Sequence, residues 1–359
     1  MSNIITKSDE IYERAKAVIP GGISGHYGAF VRKSGPKFFS KSEGSRFWDV
    51  DGNEYIDLMC AYGPMVLGYN NPVVNEAALD QLKHGNTVSL ASPVMVDLAE
   101  TLVDLVDAAD WALFSKNGGD TTSQAVLIAR AATGRKKIVK IKEGYHGVAA
   151  WMQENRPGTT PADTEHVLEV PWNDVESFQE LIDRHPEDIA CFISSPYDHT
   201  LFRDNELPED GYWQAIEALC RKNNIVLIID EVRTGFRINL NGANVEYNFK
   251  PDLICFGKAI ANGFPLAALT GTDSLKDAAK EVYFTGTQFF NAAPMAAARA
   301  TLMELQKLDG ARAMTDYGVK LNHGLVDIAS SRGYNLVASG IPAMPYYRLE
   351  GPPLKIHSA

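Results

Sequence analysis

The sequence predicts an α/β fold, a mostly parallel sheet covered by helices on both faces, and two observations carry that prediction. Six short apolar segments, WALFS (111–115), KIVKIK (137–142), ACFISS (190–195), VLIID (226–230), LICFG (253–257) and LAALT (266–270), are spread through the middle of the chain. Helical patterns near 121–132, 174–184 and 211–223 separate them. Runs this apolar, without alternation, suit strands buried on both faces, which is the habit of a parallel sheet.

The flanking regions read differently. Near the start, Ile11, Ala15 and Val18 fall on one face of a helix over 8–19, closed by Pro20-Gly21-Gly22. RFWDV (46–50) and YIDLM (55–59) flank Asp51-Gly52-Asn53-Glu54 and predict a β-hairpin at the edge of a small N-terminal unit. Helices near 293–308 and 311–331 lead into a C-terminal stretch rich in Pro and Gly, expected to rejoin that unit. The expected division is 1–60 and 301–359 as the two parts of a small domain, with 61–300 as the large one.

Composition narrows the function. The 359 residues are enough for two domains, and 45% hydrophobic with 22% charged residues is ordinary for a globular protein. A net charge of −11, from 45 acidic and 34 basic residues, argues against a nucleic-acid partner, which needs a basic surface. The opening MSNIITKSDE carries charges where a signal peptide needs apolar residues, and no run of 18 apolar residues occurs, so a cytoplasmic protein with no membrane role is expected. Cys60, Cys191, Cys220 and Cys255 lack ligand spacing, so reduced thiols and no metal are expected.

In open α/β sheets ligands sit beyond the carboxyl ends of the strands. After WALFS come Lys116-Asn117-Gly118-Gly119-Asp120-Thr121, leading into a helix whose free N–H groups suit a phosphate. After KIVKIK come Glu143-Gly144-Tyr145-His146-Gly147, where flanking glycines let a flat side chain lie over a flat ligand. VLIID ends in Asp230 and Glu231, carboxylates that need a partner. LICFG is followed by Lys258. Each has an ordinary reading alone: a helix cap, a packed turn, a solvated lysine. Together a phosphate anchor, a stacking residue, a buried carboxylate and a lysine are the parts that pyridoxal 5′-phosphate requires, with Asp230 held against its pyridine nitrogen.

The motifs, in order, are PGG (20–22), WDVDGNEYIDL (48–58), KNGGD (116–120), GYHG (144–147), DEVRTGFR (230–237), GKAIANGFPLAA (257–268) and TGTQFFNAAPMAAA (285–298). Over nearly its whole length the chain resembles the class III, fold type I pyridoxal-phosphate aminotransferases, in the style of the glutamate-1-semialdehyde aminomutase branch. The resemblance implies a seven-stranded-type sheet with a small α+β domain from both termini, and a homodimer with active sites at the interface. It makes Lys258 the Schiff-base lysine and Asp230 the partner of the pyridine nitrogen. Tyr145 is implied on one face of the ring and Val232 on the other, with His146 among the cofactor contacts. Gly118, Gly119 and Asp120 are implied at the phosphate, and Thr287 at the phosphate of the neighbouring subunit.

The departures concern substrate. Gly25 and Gly28 stand where the aminomutase carries a serine and an arginine that hold its substrate, so that carboxylate grip is missing. His26, Tyr27 and Arg233 are the candidate substrate residues, while Arg237 is expected to be architectural. The chain also stops at PPLKIHSA, earlier than the family's small domain, which is expected to be short or truncated. The expected activity is amino transfer between an amine or amino acid and a 2-oxo acid. An aminomutase or racemase keeping the same lysine and aspartate is the alternative, and a non-catalytic scaffold ranks last because Lys258 is present.

Overall fold

The apolar runs become strands where their side chains can be buried on both sides. In a computed structural model, which describes residues 6–23, 35–154, 156–200 and 203–350, twelve strands follow in chain order among those residues. They are β1 (Phe39–Glu43), β2 (Arg46–Asp49), β3 (Glu54–Ile56), β4 (Trp111–Ser115), β5 (Lys137–Ile141) and β6 (Val167–Val170), followed by β7 (Ile189–Ser194), β8 (Val226–Glu231), β9 (Leu253–Phe256), β10 (Ala267–Gly271), β11 (Asn335–Ser339) and β12 (Tyr346–Glu350).

Seven of them form the central sheet in the order β4-β10-β9-β8-β7-β5-β6. Pairing is parallel from β9 through β6, while β10 runs antiparallel to both neighbours. The six predicted segments supply six of these strands; the short edge strand β6, VLEV, is an addition to them. Every residue of β7, β8 and β9 is buried.

Strand alternation sorts β8 between two layers. Leu227 and Ile229 pack with Phe178, Trp213 and Ile216 from the helices Val175–Arg184 and Tyr212–Asn223. Val226 and Ile228 pack with Ala125, Ile128 and Ala129 of the helix Gly118–Thr133. A third cluster joins Leu98, Leu102, Met295 and Leu302 to Phe256 and Ala268. Each fully buried Leu, Ile or Phe contributes about 1.5–3 kcal/mol relative to exposure. The sheet is thereby fixed rigidly enough to position the polar residues beyond its strand ends.

The helices Pro72–His84 and Pro93–Leu105, not among the expected elements, begin with proline at the first helical turn. Asn71 caps the former, its side chain accepting from Val74 N at 3.2 Å. The predicted hairpin is β2–β3, extended by β1 into an antiparallel sheet. Asp49 braces its turn, accepting the N–H groups of Asp51 at 3.0 Å and Asn53 at 2.8 Å. At the other end, β11 and β12 pair antiparallel after the helices Ala292–Lys307 and Gly310–Ser331. Arg348 of β12 holds Asp204 at 2.9 and 3.0 Å, tying this hairpin to the segment beyond β7.

Candidate active site

The polar residues beyond the buried strands converge at the carboxyl end of the sheet. Asp230, at the end of β8, is buried, with both oxygens engaged. Oδ1 accepts from Val232 N at 2.9 Å, and Oδ2 lies 2.7 Å from His146 Nδ1. With a carboxylate as partner, Nδ1 carries the proton and donates it. A buried hydrogen bond to a charged group is worth about 1.5–3 kcal/mol. His146 Nε2, buried like the rest of the ring, has no partner among the described residues.

Lys258 stands two residues beyond β9, with φ of 46°, in the left-handed region that non-glycine residues seldom adopt. Such a backbone costs on the order of 1–3 kcal/mol and is retained where surrounding structure over-determines it. Here Asn262, four residues on, binds Leu67 N and Gly68 O at 2.9 Å each, pinning the segment to the loop before Pro72. Nζ has no hydrogen-bond or ion-pair partner among the described residues. Burial pulls the amine below its ordinary value; Asp230 opposes this, and the Arg233 and Arg237 charges assist it. A desolvated lysine carries more free amine near neutrality than an exposed one.

The Gly118–Thr133 helix opens against this lysine. Asp120 Oδ2 accepts Asn117 N at 2.8 Å and Lys116 N at 3.2 Å, which satisfies the turn from within. The N–H groups of Gly118 and Gly119 are left without acceptors among the described residues. Neither Gly118 nor Gly147 tolerates a side chain. A Cβ at Gly118 would stand 2.4 Å from Val232 Cγ1, and a Cβ at Gly147, whose φ is 115°, would stand 2.6 Å from Gly119 Cα. Thr122 Oγ1 donates to His146 O at 2.6 Å, closing the GYHG loop onto the helix. Backbone donors, the apolar side chain of Val232 and the GYHG loop with its exposed Tyr145 are thus brought to the same end of the sheet.

Three further residues in this region were given no site role by the sequence: Glu231, noted there only as a buried carboxylate, and Tyr197 and His199. Glu231 is fully buried; Oε1 accepts Ala243 N at 2.8 Å, Oε2 has no partner among the described residues, and burial pushes the carboxyl up to about 7 with a contribution from Asp230. Tyr197 and His199, beyond β7, are drawn to Arg233: its Nη1 donates to His199 O at 2.6 Å and lies 3.1 Å from His199 Nδ1. Their signal was position, since they come after a buried strand on the ligand side.

A family model for class-III aminotransferases matches residues 30–339. The chain belongs to that family. An aminopentol aminotransferase of Sphingopyxis macrogoltabida is 38% identical over 341 residues, 95% of this chain and 81% of the relative. A 3-aminobutyryl-CoA aminotransferase of Cloacimonas acidaminovorans (strain Evry) is 34% identical over 347 residues, 95% and 83% of the two chains. The solved internal-aldimine form, with PLP, of the FumI protein of Sphingopyxis sp. MTA144 superposes with a TM-score of 0.94 at 37% identity, covering 96% of this chain and 84% of that one. As a class-III aminotransferase the chain is an enzyme of the fold type I group.

The structure brings Lys258, Asp230, His146, Val232, Tyr145 and the Gly118–Asp120 turn to one end of the sheet. Thr287 is exposed, at the start of the short helical turn Thr287–Phe290, which packs on β4. Arg237 is buried and donates to the backbone at Gly63 O, Arg233 O and Gly235 O. Gly25, His26, Tyr27 and Gly28 lie outside the described residues.

Proposed function

We propose that this class-III aminotransferase moves an amino group between an amine or amino acid and a 2-oxo acid, with pyridoxal 5′-phosphate as cofactor and Lys258 and Asp230 as its working side chains. The observation that carries the reading is Lys258, desolvated, without a partner among the described residues and on a left-handed backbone, within the electrostatic reach of Asp230, which is itself buried against His146. The residues fit the cofactor: a helix N-terminus with unfilled N–H groups suits a phosphate, and glycines that exclude side chains leave room for it. Bound there, pyridoxal phosphate supplies an aldehyde for an amine and a ring that accepts electrons from the substrate carbon.

The protein's own contributions come from the geometry. With the cofactor bound, Asp230, oriented by its contact with His146 Nδ1, would face the ring nitrogen and favour its protonated, electron-accepting form. Lys258 Nζ is the amine that would hold the cofactor's aldehyde carbon, and once freed it could take a proton from the substrate carbon and return it. Val232 and Tyr145 would flank the ring, and the N–H groups of Gly118 and Gly119, with the Asp120 backbone beside them, would hold the phosphate.

The two curated relatives are named for different amino compounds, which supports the transfer and leaves the donor open. We read the working unit as a homodimer, Thr287 of each copy reaching the phosphate site of the other, in the cytoplasm. Among the described residues no helix is long and apolar enough to cross a membrane.

Purified protein should carry a chromophore that borohydride fixes to Lys258, located by peptide mass mapping. Lys258→Ala should lose both the fixed adduct and amino exchange. An adduct that persists in that variant would remove Lys258 from its role.

A further inference from the structure

Two guanidinium groups lie near Lys258, and the structure treats them differently. Arg237 is committed to three backbone carbonyls and braces the left-handed turn at 60–63. Among the described residues Arg233 uses only Nη1, on His199. Its Nε and Nη2 are unspent, and no carboxylate lies within ion-pair distance among the described residues. Arg203, Arg221 and Arg348 each hold an aspartate. A guanidinium does not give up its charge, so a largely desolvated one without a counter-ion is unfavourable until an anion arrives.

The neighbours of Arg233 are also donors in want of acceptors. Burial, with the Arg233 charge, holds His199 down at about 3, so the ring is neutral at any working pH. Arg233 donates toward Nδ1, which must therefore be the lone-pair nitrogen, and the proton sits on Nε2, buried and without a partner among the described residues. The Tyr197 hydroxyl is buried and unpartnered among them too, its ring set edge-on to His199 at 5.1 Å. The cluster thus offers the Nε and Nη2 edge of a guanidinium, an imidazole N–H and a phenol, all without acceptors among the described residues. Its charges reach the reacting centre: Arg233 is felt at Lys258, and Asp230 and His146 are felt at His199.

We infer that Arg233, with Tyr197 and His199 beside it, holds the carboxylate of the substrate acid. The inference rests on the aminotransferase reading and names the group by which that site selects its acid. A planar fork pairs with a carboxylate through two parallel hydrogen bonds, and the phosphate has its own cradle at Gly118 and Gly119. The position answers the missing grip at Gly25 and Gly28 with a residue from a different strand end.

The test uses holoenzyme in its amine-loaded state, with pyruvate and its uncharged counterpart pyruvamide as acceptors. Wild type should prefer pyruvate, and Arg233→Gln should cut that preference at least tenfold, chiefly through the KM for pyruvate. Arg233→Lys should recover part of it. Propionate, which cannot react, should bind Arg233→Gln at least tenfold more weakly by calorimetry. A preference and a propionate affinity unchanged in Arg233→Gln would overturn the inference, as would equal losses with both acceptors. Should Arg233→Gln fail to fold, Tyr197→Phe answers the same question, because removing one donor should still weaken propionate binding at least twofold; an unchanged affinity overturns the assignment. If wild type shows no exchange with any 2-oxo acid, the functional reading fails, while the propionate titration still decides Arg233.

Discussion

Asp230 and Glu231 are neighbours on one buried strand end, and their surroundings differ. Asp230 meets a backbone N–H and an imidazole nitrogen, so both of its oxygens are engaged. Asp230→Asn keeps the size and loses the charge. It should leave cofactor bound but slow proton transfer at the substrate carbon by about 3 kcal/mol, the scale of one lost electrostatic stabiliser. Single-turnover rates within twofold of wild type would contradict this. Glu231 has one N–H partner and no charge partner among the described residues, so the fold favours its acid form, raised from an ordinary 4.5 to about 7. Below the ordinary value both states hold the proton and nothing is lost. As pH rises from about 4.5 through 7 the unfolded chain releases a proton that the folded chain keeps, so stability falls, and above 7 the full loss applies. Glu231→Gln keeps an acceptor for Ala243 N and removes the ionisation. It should raise stability by about 1–3 kcal/mol at pH 8 and by little near pH 5, read from urea midpoints of the two proteins. A difference independent of pH would show that the carboxyl is not the cause. The placement of Lys258 and Asp230 at the carboxyl ends of strands was legible from sequence because each ends an apolar run abruptly. The Asp230–His146 contact was not, since it joins residues far apart in sequence that only the strand order brings together.

At the scale of elements, the turn from β4 into the Gly118–Thr133 helix is where packing and function meet. Gly118 and Val232 belong to different strand ends and share one volume. Gly118→Ala should displace Val232 by direct overlap, since its Cβ would fall 2.4 Å from Val232 Cγ1. Overpacking of this kind costs about 1–3 kcal/mol, and it should weaken cofactor affinity at least tenfold in equilibrium dialysis. Val232→Ala in the same chain should restore fold stability, because it vacates the contested space. A Gly118→Ala protein with unaltered stability and cofactor affinity would refute the close approach. Which elements the sequence made legible depends on the same physics. Strands β7, β8 and β9 are buried on both faces and announce themselves as unbroken apolar runs. The edge strand β6, with Glu169 in a partly covered row, carries no such run. The helices Pro72–His84 and Pro93–Leu105 had a readable signal in Asn71-Pro72 and Ser92-Pro93, a capping residue type followed by proline, and the second also in Leu98, Leu102 and Leu105, which recur at helical spacing and are buried. The antiparallel direction of β10 was not legible, because an apolar run carries no sense of direction.

At the scale of the molecule, the surface around Thr287 argues for a second copy. Thr287 and Phe290 are exposed, and the segment they belong to runs directly into Asn291. Asn291 and Ala292 bind the 86–87 segment: Ala292 N donates to Asn86 O at 2.8 Å, and the Thr87 hydroxyl meets the Asn291 side chain. That segment continues into Val88 and Leu90, both exposed. Ile56, Leu58, Met59 and Tyr62 are exposed as well, on the stretch that enters the turn braced by Arg237. Exposed apolar side chains this numerous would suit the interface of the proposed homodimer, and a stable one needs about 1,000 Å² or more of buried surface. The protein should therefore run at twice the chain mass in light scattering at micromolar concentration. Leu90→Asp with Val88→Asp should shift it toward monomer and weaken cofactor binding in parallel. Thr287→Ala separates the two effects: it should leave the dimer intact and the Lys258 adduct trappable, yet loosen the cofactor several-fold. A monomeric wild type with full cofactor affinity would sink the shared-site reading, and a dimer whose cofactor affinity ignores Thr287 would keep the interface but remove Thr287 from the phosphate.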